Sequence, residues 1–68
     1  MFAVGDKVKV IANADKRLKS YVGKNGKVTG AVTEHSCRVK IFYGDEVWFD
    51  NRELELNDSA VDENEREE

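Results

Sequence analysis

Apolar and polar residues alternate along five short segments of this 68-residue chain. Alternation with a period of two is typical of β-strands that bury one face and expose the other. The alternating segments are residues 7–12, 27–32, 37–42, 46–49 and 53–56. They recur about every ten residues without a helix of useful length between them, which predicts an all-β fold built as one small five-stranded antiparallel barrel.

The stretch Gly23–Gly30 holds three glycines and one asparagine and leads into the second strand. Because the Asn-Gly pair favours a positive φ angle, the residues Lys24–Lys27 are predicted to form a tight turn before that strand. Gly30 lies inside the strand pattern, where glycine is typical of a bulge, a bend or a close backbone approach. Early bending of a strand suits a very small barrel.

The alternation also predicts which side chains form the core. We expect one face of each of the first three strands to be buried, with Val8, Val10 and Ala12, then Val28, Gly30 and Val32, then Cys37, Val39 and Ile41. The polar segment Asn13–Tyr21 is predicted to be a loop with one helical turn near residues 15–18. Leu18 and Val22 are expected to anchor it to the core.

Charge is unevenly distributed, although the net charge of the chain is only −3. Residues 1–30 carry seven lysines and arginines against two aspartates, whereas residues 58–68 carry six carboxylates and one arginine. Such segregation indicates a basic face and an acidic arm. Because the last segment has few apolar residues, we predict a domain over 1–57 and a disordered acidic tail over 58–68.

Length and composition limit the other classes of protein. Sixty-eight residues form one domain at most, and Cys37 is the single cysteine, so no disulfide or zinc cluster stabilises the fold. No apolar run approaches the roughly 20 residues that span a bilayer, and the first five residues are too short for a signal peptide. We therefore expect a cytoplasmic protein, monomeric when free, with no cofactor and no membrane contact.

Two segments resemble a known motif. One part of the chain resembles the KOW motif, a strand–loop–strand unit with a central glycine. This part consists of Val4–Ile11, the basic loop after it, and Gly23–Val28. That motif is found in a ribosomal large-subunit protein and in transcription elongation factors. Phe49–Leu56 is similar to the closing strand of SH3-like barrels, which also serve as accessory chains of photosystem I and of ferredoxin–thioredoxin reductase. The resemblance covers residues 3–57 and implies an SH3-like barrel in a setting of transcription or translation.

The basic loop is the first candidate binding site. Its residues are Lys16, Arg17, Lys19 and Tyr21, with Lys24 and Lys27 nearby in sequence. Lysine and arginine side chains pair with phosphates, and a tyrosine ring can stack on a base or on a partner side chain. The alternative is that these charges form a solvated loop that keeps a small barrel soluble.

Aromatic residues near the fourth strand form the second candidate. An exposed Trp48 beside Tyr43 and Arg52 would anchor a protein interface, since Trp, Tyr and Arg dominate binding hot spots. The alternative places Trp48 and Phe42 in the core. Parity along so short a strand leaves both orientations of Trp48 open.

Catalytic and metal sites have little support in the sequence. His35 and Cys37 are too few to hold a structural zinc ion, which requires four ligands. Cys37 lies in an apolar run, away from the positive surroundings that activate a thiol. The carboxylates of the turns are not accompanied by an apolar pocket that would shift their pKa values. We predict a protein that is not an enzyme, with no catalytic and no metal-binding residues.

The resulting hypothesis is a non-catalytic binding module that docks on a protein or ribonucleoprotein partner of the transcription or translation machinery through the basic loop and the aromatics. Direct contact with nucleic acid remains an open alternative. A second hypothesis is an accessory subunit of an enzyme or photosynthetic reaction-centre complex. A third is a small regulator or inhibitor whose acidic tail imitates a phosphate backbone.

Overall fold

The computed structural model of the protein describes residues 1–12 and 16–62, with residues 16–18 described by their backbone alone. The five strands are β1 (Lys7–Val10), β2 (Asn25–Gly30), β3 (Ser36–Ile41), β4 (Glu46–Asp50) and β5 (Leu54–Leu56). Two 3₁₀ helices, Lys16–Tyr21 and Asn51–Glu53, lie between β1 and β2 and between β4 and β5. The predicted all-β class is confirmed.

The five strands form one antiparallel sheet in the order β4-β3-β2-β1-β5. Strands β1 to β4 pair with their neighbours in sequence, as in a meander. The chain then returns through the second 3₁₀ helix, so that β5 pairs with the remaining edge of β1. Within the part of the chain that the structure describes, β4 and β5 are therefore the two edge strands of the sheet.

One face of the sheet forms the core, as the alternation predicts. The buried cluster consists of Val8, Val10, Val28, Cys37, Val39, Ile41, Phe49 and Leu54. The intervening residues of the first three strands keep partial solvent contact. Three predicted core positions differ: Ala12 lies beyond the end of β1 and is exposed, whereas Gly30 and Val32, at and beyond the end of β2, are only partly buried.

The turn predicted at Lys24–Lys27 is wrong, because Asn25 and Gly26 already belong to β2. The turn lies earlier, at Gly23, whose φ is 93°. Gly26 is buried opposite Val8 on one side and Ile41 on the other. The absence of a side chain at Gly26 permits the close approach of β2 to β3, since a Cβ there would lie 2.5 Å from the Lys40 carbonyl oxygen.

The predicted irregularity at Gly30 is confirmed. The pairing of β2 with β3 shifts between Val28 and Gly30, which is the signature of a β-bulge. Ala31 follows with a φ of 52°, a left-handed conformation that turns the chain away from the sheet. The bulge thus ends β2 and redirects the chain toward the Thr33–Ser36 turn, where Thr33 Oγ1 accepts hydrogen bonds from the His35 and Ser36 amides.

The chain after β5 continues along the sheet. The Asn57 amide donates to the Lys7 carbonyl at 2.8 Å, and the Ala60 amide donates to the Asn57 carbonyl at 3.0 Å. Ala60 and Asp62 are both buried. Residues 58–62 of the predicted disordered tail are therefore placed against the domain, and residues 63–68 lie outside the described residues.

Candidate binding surfaces

Trp48 lies on the outer face of β4 with its side chain 59% exposed. Its neighbours in the strand point the other way: Phe49 is buried and Val47 packs partly against the core. The register of the sheet places Trp48 directly opposite Arg38 of β3. The question of parity that the sequence left open is thus resolved with the indole outside and the phenyl ring of Phe49 inside.

A polar network fixes the side chains beside Trp48. The Thr29 hydroxyl donates to Glu46 Oε2 at 2.7 Å and accepts from Arg38 Nε at 3.2 Å. Arg38 Nε also lies 3.3 Å from Glu46 Oε2, which makes an ion pair between adjacent strands. Each of the three side chains contacts the other two, so the charged groups beside the indole are paired with one another in the free protein.

The outer face continues past Trp48 to Asp50 and Arg52. Arg52 Nη2 lies 3.8 Å from Asp50 Oδ2, and the Arg52 side chain is largely exposed. A surface pair of this kind contributes little to stability, so its guanidinium is available to a partner at small cost. We define the Trp48 surface as Arg38, Glu46, Trp48, Asp50 and Arg52.

Tyr43 is exposed in the turn between β3 and β4 and has a φ of 63°. Left-handed backbone is uncommon for an aromatic residue, and such positions recur at binding sites. Tyr43 lies three residues before β4 and Trp48 is the middle residue of that strand.

The basic loop does not form one described surface. Lys19 and Lys24 are exposed, whereas the side chains of Lys16 and Arg17 lie outside the described residues. Lys27 belongs to the outer face of β2 and is paired there with Asp62. The predicted contribution of these residues to partner binding stays a prediction.

Tyr21, predicted to stack on a base or on a partner side chain, is partly buried in the free protein, and its role in partner binding stays a prediction. Its ring packs edge-on against Phe49, with ring centroids 6.0 Å apart and an interplanar angle of 87°. Val22, expected as an anchor, is 44% exposed, and the side chain of Leu18 lies outside the described residues. Among the described side chains of the loop, Tyr21 packs against the core. The sequence signal for the contact of Tyr21 with the core was an aromatic ring at the end of a polar loop, where a large apolar side chain is most useful as an anchor.

A shallow open cleft lies between the Thr33–Ser36 turn and the second 3₁₀ helix, lined by Glu34, His35, Asp50, Asn51 and Arg52. Asn51 joins the two walls, since its amide donates to the His35 carbonyl and its Nδ2 donates to the Thr33 carbonyl. Asn51 Oδ1 is buried without a hydrogen-bond partner. Asp50 and Arg52 connect this cleft with the Trp48 surface.

Cys37 is fully buried on the inner face of β3, and His35 is exposed in the preceding turn. The two side chains therefore do not share a face. Burial raises the pKa of the Cys37 thiol, and the negative charge of Asp6 raises it further. No group of three or more His, Cys, Asp or Glu residues suited to a metal ion occurs among the described residues.

Raising the pH above about 8.5, the ordinary thiol pKa, is expected to destabilise the fold through Cys37. Above that pH the unfolded chain loses the thiol proton that the folded chain keeps. The contribution of the Cys37 thiol to the free energy of unfolding is therefore complete below about pH 8.5. It disappears as the pH rises through the raised pKa of the thiol in the folded chain. Urea unfolding between pH 7 and pH 9.5 measures it. Cys37→Ala should lower stability at every pH but flatten the decline, and an equally steep decline in that variant would contradict the assignment.

Comparison with protein-family models, with curated proteins and with solved structures gave no significant match. The described residues contain no helix long and apolar enough to cross a membrane. The fold and the surfaces above define an all-β protein with one five-stranded antiparallel sheet, a packed inner face and an outer face that carries an exposed tryptophan.

Proposed function

We propose that this protein is a non-catalytic binding module with an SH3-like barrel over residues 1–57 that docks on a macromolecular partner through the Trp48 surface. The exposed indole of Trp48 on a regular strand, opposite Arg38, is the observation that supports this most strongly. Tryptophan and arginine are the residues most enriched at the centres of protein interfaces. An exposed tryptophan without a partner is a solubility liability in a small domain.

The barrel itself is supported by two features of the sheet. Strand β5 returns to the edge of β1, and the bulge between Val28 and Gly30 bends β2. Both are devices by which a short sheet curls toward closure. Together with the resemblance of Val4–Val28 to the KOW motif, they favour a component of the transcription or translation machinery as the partner, contacted through protein more than through nucleic acid.

Docking as an accessory subunit of an enzyme or reaction-centre complex is the second candidate, and the Trp48 surface favours it equally. The two candidates differ in the identity of the partner and share the prediction of an aromatic, salt-tolerant interface. Contact through nucleic acid differs from both, because affinity would then fall steeply with salt and depend on the basic loop. The acidic tail as a phosphate mimic is weaker, since the carboxylate of Asp62 is buried against the domain.

Trp48→Ala is expected to weaken partner binding by about 30-fold or more, the loss of at least 2 kcal/mol that defines a hot spot. The measurement is affinity purification of the tagged full chain from cells that express it, with and without nuclease, followed by titration of the recovered partner. Urea unfolding of the variant should stay within about 0.5 kcal/mol of the wild type, because the indole is exposed.

Val4→Ala is the matched control, since Val4 is also an exposed apolar residue but lies in the N-terminal turn and is not part of the Trp48 surface. It should leave binding unchanged. A partner that disappears with nuclease, or is lost on replacing Lys16, Arg17 and Lys19 while surviving Trp48→Ala, would overturn the proposal in favour of the basic loop.

A further inference from the structure

Three lysines lie side by side on the outer face of three neighbouring strands. Lys7 of β1 is directly opposite Lys27 of β2, and Lys27 is directly opposite Lys40 of β3. We call these residues the lysine row. Like charges directly opposite each other in a sheet destabilise it, since their Cβ atoms are only about 5 Å apart. Lys40, at one end of the row, is in turn directly opposite Glu46 of β4, and an anion over the centre of the row adds to the stabilisation.

The chain itself supplies such an anion. The Asp62 carboxylate forms an ion pair with Nζ of Lys27, the central member of the lysine row, and Asp62 is only 3% exposed. An aspartate is almost never buried to this degree unless it is paired. Asp58, in the same segment, is exposed. Burial is thus specific to the carboxylate that contacts the lysine row.

The segment that carries Asp62 is seated on the sheet by contacts other than charge. Asn57 Nδ2 donates to Asn25 Oδ1 at 2.8 Å, on the outer side of β2, and the Asn57 amide donates to the Lys7 carbonyl of β1. Ala60 is buried between these contacts and Asp62. Asn57 extends the pairing of β5 with β1, and residues 58–62 then run to Lys27 of β2, with a small buried side chain followed two residues later by a carboxylate.

We propose that the lysine row and the adjoining outer face of β1 and β2 form a binding site for an acidic peptide segment, and that residues 57–62 are its tethered occupant. A partner protein with a carboxylate two residues after a small apolar residue would bind by displacing the tail. The buried Ala60 favours a peptide, because a nucleic-acid backbone offers no equivalent of a small buried apolar side chain two residues before a carboxylate.

A tethered occupant has a regulatory consequence. Residues 57–62 follow β5 directly and are thereby held at an effective concentration of at least the millimolar range, so a separate peptide competes poorly with the intact tail. Weakening the attachment of the tail exposes the site and raises its affinity for a peptide supplied from outside. The ion pair of Asp62 with Lys27 is the contact through which this attachment can be weakened.

The test compares Asp62→Asn with Asp58→Asn in the full chain. Both variants remove one negative charge from the same segment, but only Asp62 is buried against the lysine row. The probe is a synthetic peptide with the sequence of residues 57–68, titrated into the isotopically labelled protein and followed by NMR. We expect Asp62→Asn to bind it about tenfold more tightly than the wild type does, with shifts at Lys7, Lys27 and Lys40.

Asp58→Asn should bind the peptide as the wild type does, and adding Lys27→Gln to Asp62→Asn should remove the gain. Equal affinities for the two aspartate variants, or a gain that persists without Lys27, would overturn the proposal. So would a gain for a single-stranded oligonucleotide of the same length and none for the peptide. If Asp62→Asn does not fold, the wild type at millimolar peptide must show the same three shifts, and their absence overturns the proposal equally.

Discussion

Gly26→Ala is expected to destabilise the fold by about 3 kcal/mol or more, most of the stability that a domain of this size possesses. An added Cβ would lie 2.5 Å from the Lys40 carbonyl oxygen and 2.7 Å from Val39 Cγ1. The carbonyl belongs to the backbone of β3, so relief requires the separation of β2 from β3. Circular dichroism with urea unfolding at 25 °C should show a largely unfolded chain or a midpoint near zero denaturant.

Gly30→Ala is the matched control, since Gly30 also lies in β2. The atom nearest to a Cβ at Gly30 is Nη2 of Arg38, at 2.7 Å. That atom is the far end of a flexible side chain and can move aside, so we expect a loss below about 1 kcal/mol. If the two alanine variants were equally stable, the close approach of β2 to β3 at Gly26 would be refuted.

These two glycines also indicate what the sequence can and cannot specify. The bulge at Gly30 was predictable because a glycine inside an alternating strand has few other uses. Gly26 was misassigned to a turn because Asn-Gly is a strong local turn signal. The requirement that overrides it is steric and arises only when β3 pairs with β2, which is a long-range event that a local pattern does not contain.

The residues of the buried inner face could be predicted from the sequence, whereas the contacts between residues on the outer face could not. Alternation is a local property, so Cys37, Val39 and Ile41 could be assigned to the core before their partners were known. The lysine row depends on register, because Lys7, Lys27 and Lys40 become neighbours only through two strand pairings. Burial of Asp62 depends on that row in turn.

The orientation of the aromatic pair Trp48 and Phe49 was decided by packing. One of two adjacent residues in a strand must face the core, and their hydrophobicity does not distinguish them. In the folded chain Phe49 is directly opposite the buried Cys37 of β3 and also contacts the ring of Tyr21. The exposure of Trp48 therefore accompanies the packing of Phe49 on the opposite side of the sheet.

Phe49→Ala is accordingly expected to unfold the protein. Phe49 is the largest fully enclosed side chain of the core, and replacing such a residue by alanine costs about 3 to 5 kcal/mol. A domain of fewer than about 70 residues has little more than that to lose. The variant should show no cooperative transition in urea, and the amide signals of a folded chain should be absent from its NMR spectrum.

Phe49→Leu is the milder comparison, because it keeps most of the apolar volume and removes the aromatic contact. It should remain folded, with a loss of about 1 to 2 kcal/mol. In a double-mutant cycle with Tyr21→Leu, the edge-on contact between the rings should appear as a coupling of about 0.5 to 1.5 kcal/mol. If Phe49→Ala unfolded cooperatively with near-native stability, the core would not depend on the Phe49 ring. If the coupling between Tyr21 and Phe49 were near zero, Tyr21 would not anchor the loop through its contact with Phe49.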